Sequence, residues 1–355
     1  MFSSWRYYIV VALCLLVFGA PWIAQNYPDQ VSAFVSAFND AASQVASVIF
    51  HNPRTITELQ TKYATTSFVM STHLADLGSS PVVFSTTSDQ QLPVTPAKIK
   101  VLLVPGHEPG FGGTEFGSLK ERNMNVELAQ DISDLLQADP HFQVYITRDD
   151  SAWSSIFSTY FKDHWDEIKA WQKSSHDEMK HLIAIGSTTA PVSKVIHNAA
   201  PLNVALRLYG ITKWANENTM DVVIHVHFND FPDHRSNVPG RHAGFSIYVP
   251  VGQYANSTTT KAIANAVFKR LLIHNSVSDL PGESSGIIDE PQLIAIGANN
   301  TADAASMLIE YGYIYEPQFK TAAKREAAFK IMANDTYLGL QDFFTSDPSV
   351  TPGYF

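Results

Sequence analysis

From Lys98 onward, short apolar runs alternate with stretches whose apolar residues recur at helical spacing. That alternation restricts the chain to a layered α/β domain built around one sheet. The strand-like runs are Lys100–Val104, Gln143–Thr147, Asp221–His227, Gly244–Val249 and Ser306–Glu310, and helical patterns fill Glu121–Leu136, Leu202–Glu217, Thr259–His274 and Phe319–Met332. No repeat with a period of roughly 20 to 50 residues is present, which removes solenoids and propellers. At 355 residues the chain accommodates one large domain of this kind and a substantial extra segment. With 45% hydrophobic and 16% charged residues it is not disordered throughout.

Three of the strand-like runs end on residues that carry chemistry. His107 follows the first run through Pro105 and Gly106, His227 closes the third, and Glu310 closes the fifth. In open α/β sheets ligands gather at the carboxyl ends of the strands. Glu121 opens a helix 14 residues after His107, and the intervening Gly110-Phe111-Gly112-Gly113 is long enough to fold its carboxylate back toward the imidazole. The chain holds 13 histidines, so one His–Glu pair means little. Convergence at the ends of separate strands means more. Two imidazoles and a carboxylate form the ligand set of a catalytic zinc site that keeps a position for water, while an uncoordinated carboxylate takes and returns the proton. Glu310 is placed for that second task. Its flank Met307-Leu308-Ile309 predicts a carboxyl pKa raised by desolvation.

At these residues the chain resembles the zinc-dependent N-acetylmuramoyl-L-alanine amidases of the Amidase_3 type. The motifs that carry the resemblance are Pro105-Gly106-His107, the helix start Leu119-Lys120-Glu121, Ile224-His225-Val226-His227-Phe228-Asn229, and Ile309-Glu310-Tyr311-Gly312-Tyr313. Val144-Tyr145-Ile146-Thr147-Arg148, and Arg207 with Ala215-Asn216, fall in the expected order between them. The resemblance implies a single mixed β-sheet with helices on both faces, of the amidase or zinc-exopeptidase kind. It implies hydrolysis of the amide between N-acetylmuramic acid and L-alanine in peptidoglycan. By motif position it makes His107, Glu121 and His227 ligands of Zn2+ and Glu310 the catalytic carboxylate. Two other readings stay open: an inactive amidase-like module that binds wall fragments or a division partner, and a zinc carboxypeptidase acting on another peptide amide.

The chain departs from the family pattern in three places. Glu108-Pro109 stands where glycines usually follow the histidine, and Glu108 is either a support for His107 or a solvated loop charge. His225 replaces a small polar residue and, two positions from His227 on a strand, shares its face. It competes as a ligand or hydrogen-bonds substrate. An insertion at about 150–200 carries Trp153, Phe157, Tyr160, Phe161, Trp165, Ile168 and Trp171 at helical spacing, which predicts an amphipathic helix forming either an extra packed layer or a lid over the site. The remaining histidines lack a motif, although His234 and His242, with Arg235 and Arg241, flank a loop suited to stem-peptide carboxylates.

Ahead of the domain, Tyr7–Ala24 is an uncharged run of 18 residues preceded by Arg6, so residues 1–24 are a membrane anchor or a signal segment. Neither Ala20, followed by Pro21, nor Ala24, preceded by Trp22, offers a small-residue cleavage pattern, which favours an anchor with an extracytoplasmic domain over a secreted chain. Residues 25–97 read as a helical stalk and a polar, proline-marked linker, 98–345 as the catalytic domain, and 346–355 as a tail. The single cysteine, Cys14, lies in the apolar run, which excludes disulfides, a cysteine-based zinc site and a cysteine nucleophile in the domain. A net charge of -10 excludes a nucleic-acid partner. No Gly-x-Ser-x-Gly elbow, P-loop or dinucleotide fingerprint is present.

Overall fold

The computed structural model describes residues 52–65, 97–193, 200–231 and 234–345. The apolar run 7–24, most of the expected stalk and linker, and the tail 346–355 lie outside them. Among the described residues no helix is long and apolar enough to cross a membrane.

Pro53–Phe355 form one compact unit. Its centre is a six-stranded mixed sheet made of β1 (Ile99–Pro105), β4 (Phe142–Ile146), β5 (Val222–Asn229), β6 (Ser246–Val249), β7 (Ile287–Asp289) and β8 (Ala305–Tyr313), in the order β4-β1-β5-β8-β6-β7. Strands β4, β1, β5 and β8 are parallel, β6 runs antiparallel to β8, and β7 is parallel to β6. The two-residue strands β2 (Glu115–Phe116) and β3 (Leu119–Lys120) form a small separate hairpin.

Side-chain alternation sorts the sheet into two cores. Ile99, Val101 and Leu103 of β1, with Val222, Ile224, Val226 and Phe228 of β5, face α2 (Glu121–Ala138), α6 (Ser257–His274) and α7 (Ala322–Thr345). Leu102, Val104 and Val223 face the other way, against α3 (Ser155–Asp163), α4 (Trp165–Ala184) and α5 (Leu202–Glu217). Helices therefore cover both faces, and the expected mixed-sheet architecture is the one observed.

Three elements differ from expectation. The last helix runs to Thr345 instead of ending near Met332. Its polar interruption is absorbed by packing: buried Asp335 pairs with His274 of α6 at 3.0 Å, and a Cβ on Gly339 would stand 2.5 Å from the Val267 backbone, so glycine lets the two helices touch. The insertion holds two helices that break at His164, and its aromatic stripe is a layer: Phe157, Phe161 and Ile168 are buried against α5, with Trp153, Trp165 and Trp171 packed around them. Phe157→Ala is expected to cost about 3–5 kcal/mol in denaturant unfolding, whereas a side chain serving only as a lid would leave stability unchanged.

The third difference concerns the stalk. Residues 56–65 form a helix, α1, that belongs to the domain's compact unit. Thr55 and Glu58 make a capping box, with Glu58 N–H donating to Thr55 Oγ1 at 3.2 Å and Thr55 N–H to Glu58 Oε2 at 3.0 Å. Leu59 and Tyr63 are buried, Gln60 donates to the Phe343 carbonyl at 2.8 Å, and Lys62 pairs with Asp221 at the start of β5. Two apolar residues one turn apart suffice to dock this helix once partners exist, so residues 56–65, within the expected stalk, form a helix packed on the domain.

Candidate metal centre and active site

The site forms where β1, β5 and β8 end. β1 delivers Pro105-Gly106 and then His107, whose φ of 68° is a left-handed value uncommon outside glycine. Arg148, almost fully buried, holds this turn: its Nε donates to the Pro105 carbonyl at 3.1 Å and its Nη2 to the carbonyls of Gly106 and, at 2.9 Å, Arg122. Asn125 adds a bond to the Gly106 carbonyl at 3.2 Å. Gly106 is there for space. A Cβ at that position would lie 2.2 Å from Cε1 of His227, whose ring covers the glycine. Gly113, at φ +76°, similarly makes room for His107 and Glu121.

Glu121, the first residue of α2, faces both imidazoles from a buried position. Its Oε1 lies 3.0 Å from His227 Nδ1 and its Oε2 2.9 Å from His107 Nε2. The two carboxylate oxygens also accept backbone N–H groups, from Phe228 at 3.3 Å and Thr114 at 3.0 Å. Burial alone would raise its pKa, but the two imidazoles and their hydrogen bonds outweigh that and hold the carboxyl well below its ordinary value. Burial holds His227 below the usual histidine value, so its ring nitrogen stays available as a neutral donor.

Glu310 stands beside His227 in register on the adjacent strand, with Ser246 of β6 on its other side. Its Oε2 is shut off from solvent and has no hydrogen-bond partner. Desolvation, then the charges of Glu121 and Glu283, push its pKa well above the carboxylate range, as its apolar flank predicts.

One atom from each of His107, Glu121 and His227 falls within 4.8 Å of the others, the one such cluster among the described residues. The donors suit zinc. Two imidazole nitrogens and a carboxylate oxygen are a zinc donor set, and the fold brings them together without any cysteine. His107 Nε2, moreover, is buried against Glu121 Oε2, so the ring nitrogen faces the carboxylate with which it would share the ion.

The structure decides two open alternatives. Glu108 is neither solvated nor bonded to His107: it is buried and receives Arg207 Nε of α5 at 2.8 Å. His225 is outside the three-donor cluster; it is buried, and burial followed by repulsion from His227 drives its pKa down to about 3. It is a neutral core imidazole in the layer beneath His227. Among the other histidines, His242 is held by Asp279 at 2.9 Å and His141 by Asp139 at 2.6 Å.

Sequence reasoning missed Thr114, Asp230 and Glu283. Glu283, buried, accepts from Asn229 at 2.9 Å, Tyr248 at 2.6 Å and Tyr313 at 3.3 Å, joining β5, β6 and β8 beside Glu310. It lies in Pro281-Gly282-Glu283-Ser284-Ser285-Gly286, which carries only turn signals.

A family model described as "Amidase_3: N-acetylmuramoyl-L-alanine amidase" matches residues 101–342. A search of the curated proteins finds no match. Similar solved structures include an N-acetylmuramoyl-L-alanine amidase from Clostridium difficile 630, at 14% identity and TM-score 0.43 over 70% of this chain and 98% of that one. The CwlD amidase from Clostridioides difficile, solved in complex with the GerS lipoprotein, aligns at 15% identity and TM-score 0.46 over 70% and 100%. The catalytic domain of CwlV from Bacillus (Paenibacillus) polymyxa aligns at 16% identity and TM-score 0.43 over 70% and 98%.

Proposed function

Because the chain belongs to the Amidase_3 family of N-acetylmuramoyl-L-alanine amidases, we propose that it binds one zinc ion through His107, Glu121 and His227 and cleaves the amide between the muramyl lactyl group and L-alanine of peptidoglycan. The observation that supports this most directly is the convergence of the three donors on one point beside Glu310. Zinc held there supplies a Lewis acid for the scissile carbonyl and makes a nearby water more acidic. His107 and His227 offer ring nitrogens, that of His227 kept neutral by burial, and Glu121 contributes the negative charge of the ligand set. Glu310 takes a proton from the water as its oxygen bonds to the carbonyl carbon, and returns it to the nitrogen of L-alanine as the C–N bond breaks. A base with a raised pKa suits both halves of that exchange: it holds the proton firmly enough to deliver it.

The uncharged run Tyr7–Ala24 with Arg6 before it supports a membrane-tethered enzyme whose domain works outside the cytoplasm. One preparation of the full chain tests the whole reading. The expected result is recovery with the membrane fraction, one zinc per chain by elemental analysis, and release of L-alanine amino termini from muramyl peptide that stops on chelation and returns with zinc. Metal-free protein that cleaves at the full rate, or a zinc-loaded chain that does not cleave muramyl peptide, would overturn the catalytic assignment. Recovery in the soluble fraction would overturn the tether.

A further inference from the structure

Glu121 owes its orientation to two backbone amides, and they are not equally secure. The Phe228 amide belongs to β5. The Thr114 amide belongs to a loop in which Gly112 and Gly113 both have positive φ, of 89° and 76°, and which leads directly into the two-residue strand β2. Two groups hold that loop from outside. Arg122 Nη1 donates to the Gly112 carbonyl at 3.2 Å. The Thr114 hydroxyl donates to Asp230 Oδ2 at 2.5 Å, a bond between residues 116 positions apart. Asp230 follows β5 directly, where its backbone N–H donates to Asn229 Oδ1 at 2.8 Å and its Oδ1 faces His234 Nε2 at 2.8 Å.

We propose that Asp230 is a positioning residue for the metal site, acting through the Thr114 hydroxyl to aim the Thr114 amide at Glu121 Oε2. Thr114 is bound to Glu121 in both directions, since its carbonyl also accepts the Glu121 N–H at 3.0 Å. A shift of Thr114 therefore moves both the carboxylate and the first turn of α2. Asp230 carries the restraint from the end of β5, the strand that also delivers His227, so two ligands are referred to one element. The negative charge of Asp230 strengthens the bond relative to a neutral acceptor. Groups that orient ligands in this way typically account for about 10–100-fold in metal affinity.

The inference rests on His107, Glu121 and His227 being the zinc ligands, and its test separates the two. Zinc affinity of the full chain is measured by competition with a chromophoric chelator, together with the visible spectrum of the cobalt-substituted protein and the unfolding temperature of the metal-free protein. Thr114→Val, which keeps the amide and the side-chain shape but loses the hydroxyl, is expected to bind zinc about 10–100-fold more weakly with an altered cobalt spectrum. Thr114→Ser, which keeps the hydroxyl, is expected to bind like the wild type. Asp230→Ala is expected to match Thr114→Val and stands in for it should that variant not fold. Wild-type affinity in Thr114→Val, or in Asp230→Ala, overturns the proposal, as does a Thr114→Ser variant that is as weak as valine. A wild-type chain that takes up no zinc overturns the ligand assignment and this relay with it.

Discussion

Glu310→Gln is expected to lower amidase turnover by about 10²–10⁴-fold, the usual contribution of a general acid–base group, while making the metal-free protein more stable. The second half follows from the site's electrostatics. Burial and the neighbouring charges of Glu121 and Glu283 raise the Glu310 pKa above its ordinary 4.5. In the pH range between that ordinary value and the raised one, the unfolded chain has lost the proton while the folded chain keeps it. Folded protein therefore binds more protons there, and its stability falls as pH rises. Glutamine is uncharged at every pH and nearly the same shape. The stability gap between variant and wild type should accordingly be small below about pH 4.5 and widen as pH rises through the neutral range. Urea unfolding of the chelated proteins across that range measures it. A glutamine variant less stable than wild type at neutral pH would show that the Glu310 carboxylate is well solvated after all.

Gly106→Ala is expected to be nearly as damaging to metal binding as loss of a ligand, although glycine carries no functional group. The added carbon would lie 2.2, 2.3 and 2.6 Å from Cε1, Nε2 and Nδ1 of His227. The ring has little freedom to yield, since Nδ1 is bonded to Glu121 and its backbone lies in β5. Displacing it separates Nδ1 from Glu121 and opens the three-donor cluster, so zinc affinity should fall by at least about 100-fold. Gly110→Ala is the control, because a Cβ there meets nothing within 4 Å. Equal zinc affinity in the two variants would show that the ring moves aside cheaply and that Gly106 is not required for space.

How much of this was legible in the sequence depends on whether a residue's role is local. His107, His227 and Glu310 each end an apolar run, and Glu121 begins a helical period; those signals lie within a few residues of the side chain concerned. The strand cores were equally plain, while β7, three residues long, is too short to show a period. Glu108 was opaque because what decides its state is Arg207, on a helix 99 residues away. Thr114, Asp230 and Glu283 sit in polar loops where every residue reads as turn chemistry, and only the folded loops show which of them point inward. The extension of α7 beyond Met332 passes through Asp335 and Gly339, poor helix residues in isolation that here fit against α6.

The separation of the donors along the chain also sets when the centre can form. His107 and Glu121 lie early, yet Glu121 meets His227 across 106 residues, and Glu310 comes with β8, which pairs parallel to β5. Parallel pairing needs a long crossover each time, and such contacts are slow to close. A chain leaving the ribosome thus exposes an imidazole and a carboxylate well before the second imidazole or Glu310 has been made. On the proposed reading, zinc capture is therefore a late event that reports completion of the central strands instead of nucleating them, and its rate offers a clock for that step of folding.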